Sequence, residues 1–160
     1  MTKTNAARIL DKMGVKYELA EYEVDESDLS ATSVALKLGQ NIEEIYKTLV
    51  LRGDKTGIFV CIIPGGEELD LKKAAHVSGN KNAAMVAVKE IMGLTGYVRG
   101  GCSPLGMKKK YPTYIDESST LYDFIFVSAG IRGLQFKIAT DDLIRCGSFI
   151  VADLVSVIKH

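Results

Sequence analysis

The stretch Lys47–Ile63 reads KTLVLRGDKTGIFVCII and contains two strand-like segments separated by a turn. The first segment, Lys47–Arg52, has the pattern of a strand, and Asp54–Gly57 supplies residues that favour a tight turn. The second segment, Ile58–Ile63, is continuously apolar, which is typical of a strand buried on both faces. We therefore expect a β-hairpin at this point of the chain.

Helix and strand patterns follow one another irregularly on both sides of this hairpin. The predicted helices are one capped by Thr4 and ending at Gly14, one over Ala31–Leu38 ending at Gly39, a short turn capped by Asn41 and Glu44, one capped by Asp70, one over Lys89–Met92 ending at Gly93, and one from Thr140 to Gly147. The further predicted strands are Val15–Leu19, Met85–Val88, Thr113–Ile115, Phe124–Ser128 and Leu134–Ile138. Because there is no strict βαβ alternation, we expect a single α+β domain over residues 1–160 with a mixed sheet.

The charge balance limits what the surface as a whole can bind. The 160 residues are 47% hydrophobic and 25% charged, which excludes a disordered or fibrous chain. Lys and Arg number 20, as do Asp and Glu, and the resulting zero net charge argues against strong unaided binding of RNA. The charge balance does not exclude a local basic patch that binds RNA. Lys108–Lys110 is a candidate for such a patch, although most such triplets are merely solvated.

Metal ligands and membrane segments are not indicated. The chain has three cysteines and two histidines, namely Cys61, Cys102, Cys146, His76 and His160. They show no CxxC spacing, and the histidines lie far apart, so we expect no metal, no cofactor and no disulfide framework.

The longest nearly apolar run, Ile58–Pro64, is shorter than the about 20 residues that a membrane span needs, and the N-terminus lacks a signal-peptide pattern. We expect a cytoplasmic protein without a membrane segment.

The segment Gly93–Gly106 is the most informative for function. It contains five of the 15 glycines, and its centre reads GGCSPLG over Gly100–Gly106. Glycines let the backbone approach a ligand and present its N–H groups to a carbonyl, carboxylate or phosphate. A tight connection between strands is an equally good explanation of this composition. The spacing fits neither a Walker loop nor a dinucleotide-binding glycine pattern.

Two cations have a functional and an ordinary explanation. Lys47 shares a predicted strand face with Leu49 and Leu51, so it is either an edge residue that reaches solvent or an ammonium retained for an anionic ligand. Arg132, in the turn Ser128–Gly133, is either a fork for a phosphate or carboxylate or a solvated turn residue. The residue pattern alone leaves both pairs of alternatives open.

A nucleophilic triad is poorly supported. Cys102 and Ser103 lie in the glycine-rich segment, but no histidine is near them in the sequence. His76 is at a predicted helix end, where packing is the simpler explanation, and His160 is the last residue. A fold can bring distant residues together, so this observation weighs against a triad without excluding it.

Four segments in order carry a resemblance to a known family. They are Tyr46–Leu51, Leu69–Ala75, Thr95–Gly106 and Val127–Leu134. Together they resemble the YbaK family of aminoacyl-tRNA deacylases, related to the editing insertion domain of bacterial prolyl-tRNA synthetase, and most of all its stand-alone Cys-tRNA(Pro) deacylases. The resemblance covers essentially the whole chain. It implies a YbaK-type fold, in which helices surround a barrel-like sheet.

The resemblance also implies a site and a reaction. Lys47 is implied as the catalytic residue, and the implied substrate-binding residues are Tyr22, Thr48, Gly100, Gly101, Ser103, Pro104 and Ser128. The implied reaction is cleavage of the ester that joins an amino acid to the acceptor end of a mischarged tRNA, Cys-tRNA(Pro) or also Cys-tRNA(Cys), with the substrate's own thiol as attacking group. Prolyl-tRNA synthetase is the implied partner, and neither metal nor cofactor is required.

Two alternative functions remain open at this point. The first is a deacylase of the same fold with another amino-acid preference, such as Ala-tRNA(Pro). The second is a non-catalytic module that binds a tRNA or a synthetase. The size of the pocket separates the first alternative from Cys-tRNA cleavage, and the presence of Lys47 and of the Gly100–Pro104 loop favours an enzyme over the second.

Overall fold

The computed structural model of the protein describes residues 3–156. Its helices are α1 (Asn5–Lys12), α2 (Ala31–Leu38), α3 (Leu71–Val77), α4 (Val88–Thr95) and α5 (Thr140–Gly147), with 3-10 turns at Ile42–Glu44 and Glu117–Leu121. Its strands are β1 (Tyr17–Glu21), β2 (Tyr46–Gly53), β3 (Gly57–Pro64), β4 (Ala83–Met85), β5 (Thr113–Asp116), β6 (Phe124–Ser128), β7 (Leu134–Ala139) and β8 (Ile150–Ala152).

The strands form two sheets and confirm the mixed α+β architecture. A five-stranded sheet has the order β4-β2-β3-β5-β8, in which β3–β5 and β5–β8 are parallel and the other pairs are antiparallel. A three-stranded antiparallel sheet has the order β1-β7-β6. The helices pack around these sheets without strict βαβ alternation.

The expected barrel-like closure is corrected by this arrangement. Within residues 3–156 the sheets are joined only by an isolated parallel bridge between Ile45 and Phe126. The five-stranded sheet ends on β4 and β8, each of three residues, which are too short to continue the hydrogen bonding into the second sheet.

The hairpin β2–β3 is the buried centre of the larger sheet, as the sequence predicts. It pairs eight residues on each side, from Tyr46 opposite Pro64 to Gly53 opposite Gly57. On β3, Val60–Ile63 is completely buried. Cys61 and Ile63 pack toward α3, whereas Ile62 joins the core that lies between the two sheets. Alternate residues therefore bury both faces of the strand.

Local sequence signals set several helix ends. The Thr4 hydroxyl accepts a hydrogen bond from the Ala7 N–H at 3.1 Å, and the Asp70 carboxylate accepts from Lys72 and Lys73. Gly39 ends α2 at φ 65°, a conformation that few residues other than glycine adopt. These caps confirm the sequence predictions.

Three local expectations were wrong, and one strand was not predicted. The strand expected over Met85–Val88 ends at Met85, because Val88 begins α4. Helix α4 continues past Gly93 and ends at Gly96, because it is Gly96 that adopts a left-handed conformation, at φ 84°. Asn41 precedes the 3-10 turn but makes no side-chain capping bond. The strand β8 was not predicted, since three residues carry too little periodicity to be recognised. Separately, no helix within residues 3–156 has the length and apolar character to cross a membrane.

Candidate active site

A cavity of about 630 Å³ opens between the exposed edge of β2, the three-stranded sheet and α4. Its wall is built by the first turn of α2, by β2, by Met85–Ile91, by the loop after α4 and by the facing residues of β6 and β7. This volume is in the range of small-molecule binding pockets, roughly 300–1,000 Å³. The cavity therefore occupies the place where the two sheets fail to close.

The edge of β2 contributes backbone groups to this cavity. Strand β4 covers only Leu51–Gly53, and the Val50 carbonyl accepts from the Val86 N–H at 3.1 Å. Val60 is the partner of Val50 on β3, but its N–H donates to the Pro112 carbonyl at 2.9 Å and not to Val50. The backbone groups of Val50 therefore point away from β3. Because backbone groups alternate in direction along a strand, the N–H and carbonyl of Thr48 face the same open edge as the Val50 carbonyl. A backbone donor and acceptor are thus presented beside the cavity.

Lys47 is half-buried in the cavity wall at the start of β2. Within the described residues, no carboxylate lies within 4.0 Å of its ammonium, and no protein acceptor binds it. Burial lowers the pKa of Lys47 below its ordinary value, and the weaker attraction of Glu68 and Glu67 only partly opposes this effect. The lysine is paired with Ile63 on the β3 side only, and its half-buried side chain lies in the cavity wall on the open edge of β2. Its charge remains available to an anionic ligand.

Polar side chains with unused hydrogen-bonding capacity lie in the same wall. Within residues 3–156, the buried Thr48 Oγ1 and Gln135 Oε1 have no hydrogen-bond partner. Gln135 lies opposite Ser128 in the β6–β7 ladder, and the Ser128 hydroxyl accepts from the Gly130 N–H at 3.2 Å. Tyr22 also lines the cavity. Buried polar groups are normally hydrogen-bonded, so unpartnered ones beside a cavity are typical of a ligand site.

The glycine-rich loop divides into a lining part and a supporting part. Gly100 and Cys102 line the cavity, whereas Gly101, Ser103 and Pro104 are buried behind its wall. The Ser103 hydroxyl accepts from the Leu105 N–H at 3.3 Å, inside the loop itself. The structure therefore brings Tyr22, Lys47, Thr48, Gly100 and Ser128 together around the cavity. It places the other three predicted residues where they fix the course of the loop.

Gly101 shows most clearly how the loop is held. A side chain at Gly101 would place its Cβ 2.9 Å from the Arg132 backbone nitrogen, because the loop lies directly against the β6–β7 turn. The Arg132 guanidinium donates to the Arg99 carbonyl at 2.8 Å, and it lies 3.9 Å from Glu26. Arg132 thus ties the turn to the loop, which neither of its two sequence-based explanations included.

The cysteine in the cavity wall is not an activated nucleophile. Burial raises the pKa of the Cys102 thiol to about 11, so the thiol is protonated at neutral pH. His76 is exposed on α3, and His160 lies outside the described residues. Among residues 3–156, no group of three His, Cys, Asp or Glu side chains could hold a metal ion.

Sequence reasoning missed the segment Ser27–Thr32, which forms the rim of the cavity and the first turn of α2. Ser30 caps that helix by accepting from the Ser33 N–H at 3.2 Å, and this serine was the available signal for where the helix begins. It also missed the apolar side chains of Met85, Val88 and Ile91 in the wall. No local pattern distinguishes these from ordinary core positions.

The chain matches the model of a protein family described as "Aminoacyl-tRNA editing domain" over residues 26–146. It is 49% identical over 142 residues, which are 89% of this chain and 87% of the relative, to an Enterococcus faecalis protein named "Putative Cys-tRNA(Pro)/Cys-tRNA(Cys) deacylase EbsC". It is also 29% identical over 99 residues to the proline–tRNA ligase of Shouchella clausii, covering 62% of this chain and 17% of the ligase.

Solved structures show the same fold. The "Crystal structure of a putative trans-editing enzyme for prolyl tRNA synthetase" matches with a TM-score of 0.81 and 27% identity, over 98% of this chain and 100% of that chain. The "Crystal structure of hypothetical protein APE2540" matches with a TM-score of 0.87 at 20% identity, over 96% and 100% of the two chains, which is a likeness of fold alone.

Proposed function

Since the chain belongs to the aminoacyl-tRNA editing domain family, we propose that it is a deacylase that cleaves the ester of Cys-tRNA(Pro) and, as a second substrate, of Cys-tRNA(Cys). The name of the relative at 49% identity supports this choice of amino acid. The observation that carries the proposal is the half-buried, unpaired Lys47 ammonium in a cavity of about 630 Å³. A preorganised cation is one of the groups by which an enzyme stabilises developing negative charge.

The side chains of the cavity favour attack by the substrate over attack by the protein. Cys102 is held as a neutral thiol, and within residues 3–156 no histidine lines the cavity. The cysteinyl group of the substrate carries its own thiol, which loses its proton and forms a bond from sulfur to the ester carbonyl carbon. The bond from that carbon to the ribose oxygen breaks, and the ribose oxygen takes up a proton. Water then opens the resulting thiolactone to free cysteine.

The protein's part in this reaction is to position the ester and to stabilise charge. Lys47 and the Thr48 N–H are the donors for the carbonyl oxygen as it becomes negative. Tyr22, Gly100 and Ser128 hold the aminoacyl end against the wall, while Gly101, Ser103 and Pro104 fix the loop that carries Gly100. Holding the thiol close to the carbonyl supplies much of the rate enhancement, since intramolecular attack avoids the entropy cost of bringing two molecules together.

The proposal includes a partner and a place in the cell. The related region of a proline–tRNA ligase supports a link to proline charging, so prolyl-tRNA synthetase is the proposed partner that selects the tRNA. Such editing is needed because a synthetase pocket discriminates similar small side chains by only about 10- to 200-fold. The reaction belongs where tRNA is charged, in the cytoplasm.

A panel of purified aminoacyl-tRNAs tests the proposal. Cys-tRNA(Pro), Cys-tRNA(Cys), Ser-tRNA(Pro), Ala-tRNA(Pro) and Pro-tRNA(Pro) are each incubated with the protein, with and without prolyl-tRNA synthetase. The expected result is rapid loss of cysteine only, because serine differs chiefly in having oxygen in place of the attacking sulfur. Equal cleavage of the serine and cysteine esters would contradict substrate-assisted attack. A preference for Ala-tRNA(Pro) would show the alternative amino-acid specificity, and no cleavage at all would contradict the proposed activity.

A further inference from the structure

The charges of this neutral protein are strongly segregated along the chain. The segment 71–115 contains eight basic residues and one acidic residue, Glu90. The segment 17–28 contains six acidic residues and no basic one. Zero net charge therefore conceals two regions of opposite sign, and a polyanion will distinguish between them.

Of these basic residues, Arg99 lines the cavity, and Lys108, Lys109 and Lys110 lie near the C-terminal end of α4. We call Arg99, Lys108, Lys109 and Lys110 the basic strip; all four are exposed. The strip is held along the C-terminal end of α4, where the Lys108 N–H donates to the Thr95 carbonyl at 3.0 Å. The Lys108 side chain also lies over Gly96, with its Cγ 3.3 Å from the position of an added Cβ.

The strip leads directly to the cavity. Arg99 lines the cavity and follows Gly96 by three residues, a distance of about 10 Å at most. The Tyr111 hydroxyl donates to the Leu94 carbonyl at 2.8 Å and fixes the other end of the lysine triplet against the same helix. The strip therefore extends from the lysine triplet, held against α4, to Arg99 in the cavity wall.

No cation of the strip forms an ion pair within the described part of the protein, and the Lys108 ammonium makes only a long hydrogen bond of 3.5 Å to the Gly93 carbonyl. None of the four has a carboxylate within 4.0 Å among residues 3–156. Glu90, the one carboxylate of this region, pairs with Arg52 at 2.9 Å and accepts from the Ala87 N–H at 3.0 Å. Exposed cations without carboxylate partners are available to phosphates.

The acidic region begins where the strip ends. Leu29, just after the acidic segment, packs 3.3 Å from the Cβ position of Gly100, and Glu26 lies beside Arg132. Glu21, Glu23, Asp25, Glu26 and Asp28 are all exposed on that side. The sign of the surface charge consequently changes across Arg99 and Gly100, at the mouth of the cavity itself.

From this arrangement we propose that the backbone of the tRNA acceptor end runs along the basic strip and passes Arg99 into the cavity, while the acidic segment keeps it from the other side of the mouth. This inference rests on the proposed function for the identity of the RNA. Met85 and Val88, both in the cavity wall and about half-exposed, offer apolar surface to the terminal bases on the strip side. Cations that follow a backbone beside surfaces that hold bases are the usual means of binding single-stranded RNA.

The test compares two double variants that remove equal charge. Lys109→Gln/Lys110→Gln neutralises the strip, and Lys12→Gln/Lys16→Gln neutralises two exposed lysines near β1 as the matched control. Affinity for end-labelled, uncharged tRNA(Pro) is measured over a series of salt concentrations. The strip variant is expected to bind about tenfold more weakly at low salt, with a slope of log affinity against log salt that is shallower by about 1 to 2. The control is expected to bind like the parent.

A kinetic comparison separates this inference from the proposed function. The strip variant is expected to raise KM for Cys-tRNA(Pro) and to leave turnover of the small ester cysteinyl-adenosine unchanged, since that ester does not reach the lysine triplet. If the protein cleaves neither substrate while the strip variant still loses RNA affinity, the proposed activity is wrong and the binding surface stands. The inference would be overturned if the strip variant and the control bound RNA equally well. It would also be overturned if Glu21→Gln/Glu23→Gln lost more RNA affinity than the strip variant.

Discussion

Lys47 keeps its ammonium in a half-buried position at a cost to the folded state. Burial lowers the pKa of Lys47, and within residues 3–156 no carboxylate contact compensates for the lost hydration. A purely structural residue at this position would be better served by an apolar side chain, as its neighbours Leu49 and Leu51 are. The retained charge is consistent with a role in binding and catalysis at the expense of stability.

The variant Lys47→Met keeps an apolar stem of similar length and removes only the charge. We expect deacylation of Cys-tRNA(Pro) to fall roughly 10²-fold or more, in line with the loss of one preorganised oxyanion donor, and Lys47→Arg to recover only part of it. Rates are measured in single turnover, and thermal unfolding serves as the control. A Lys47→Met protein that deacylates like the parent, or that fails only because it unfolds, would show the site assignment to be wrong.

The same substitution predicts a pH dependence of stability. Because the folded-state pKa of Lys47 is lowered, the unfolded chain binds more protons between that pKa and the ordinary value of 10.5. The parent's free energy of unfolding should therefore rise relative to Lys47→Met as the pH passes through this window. Urea unfolding at pH 7 and near pH 10 measures the difference between the two proteins. We expect Lys47→Met to be the more stable at pH 7 and its advantage to shrink at the higher pH; a constant difference would contradict the burial cost.

Cys102 should be dispensable for chemistry. Its thiol has a pKa of about 11, so it is not a thiolate at neutral pH, and we expect Cys102→Ala to retain most of the parent kcat/KM. Steady-state deacylation of Cys-tRNA(Pro) measures this. A loss of three or more orders of magnitude, the scale of a removed nucleophile, would contradict attack by the substrate's own thiol.

At the scale of elements, two glycines of one segment are expected to respond in opposite ways. An alanine at Gly101 would press its Cβ against the backbone of Ile131 and Arg132, so the loop must move away from the β6–β7 turn. We expect Gly101→Ala to lose roughly 1–3 kcal/mol of stability and to lower deacylation. Gly93 has nothing within 4 Å of its Cβ position and lies inside α4, so Gly93→Ala should gain about 0.5–1 kcal/mol without loss of activity.

Denaturant unfolding and deacylation of both glycine variants provide the check. If Gly101→Ala were as stable and as active as the parent, the loop would not be held by its contact with the turn. Destabilisation by Gly93→Ala would contradict the assignment of α4 through this residue.

Elements with strong local signals could be predicted from the sequence, whereas their assembly could not. The caps at Thr4 and Asp70 and the apolar run of β3 are local, and the structure confirms them. It is Gly96 and not Gly93 that adopts the left-handed conformation, and the Lys108 segment, which is distant in the sequence, packs against that helix end. Closure of the sheets depends on pairings between distant strands, for which the sequence carries no local signal.

In the candidate site, too, some residues could be predicted from the sequence and others could not. Lys47 and Gly100 were identified from residue type and family resemblance, and both lie at the cavity. Ser103 and Pro104 share the same motif but are buried behind the wall, because the loop turns inward after Cys102. The rim at Ser27–Thr32 is brought to the cavity by the packing of α2, and no sequence motif indicates this packing. The catalytic and binding roles themselves stay predictions.

For the whole molecule, the zero net charge is misleading as a guide to RNA binding. A uniform distribution of 20 cations and 20 anions would give little steering of a polyanion. Here the four exposed cations of the basic strip extend from Arg99 in the cavity wall, and the exposed acidic segment Glu21–Asp28 reaches the cavity at Asp28. The fold supplies the cavity where the two sheets fail to meet, and the charge pattern gives the RNA one direction of approach. A partner synthetase would then need to add only the choice of tRNA.

The most direct test of the central claim is the half-life of two esters on the same tRNA, Cys-tRNA(Pro) and Pro-tRNA(Pro), in single turnover with the parent protein. The account predicts that the protein shortens the half-life of Cys-tRNA(Pro) by at least about 10²-fold relative to spontaneous hydrolysis, the scale of one preorganised oxyanion donor. It predicts that Pro-tRNA(Pro), which has no thiol to attack its own carbonyl, decays as it does without protein. Unchanged decay of both esters, or equal acceleration of both, would contradict the claim that this cavity edits cysteine from tRNA.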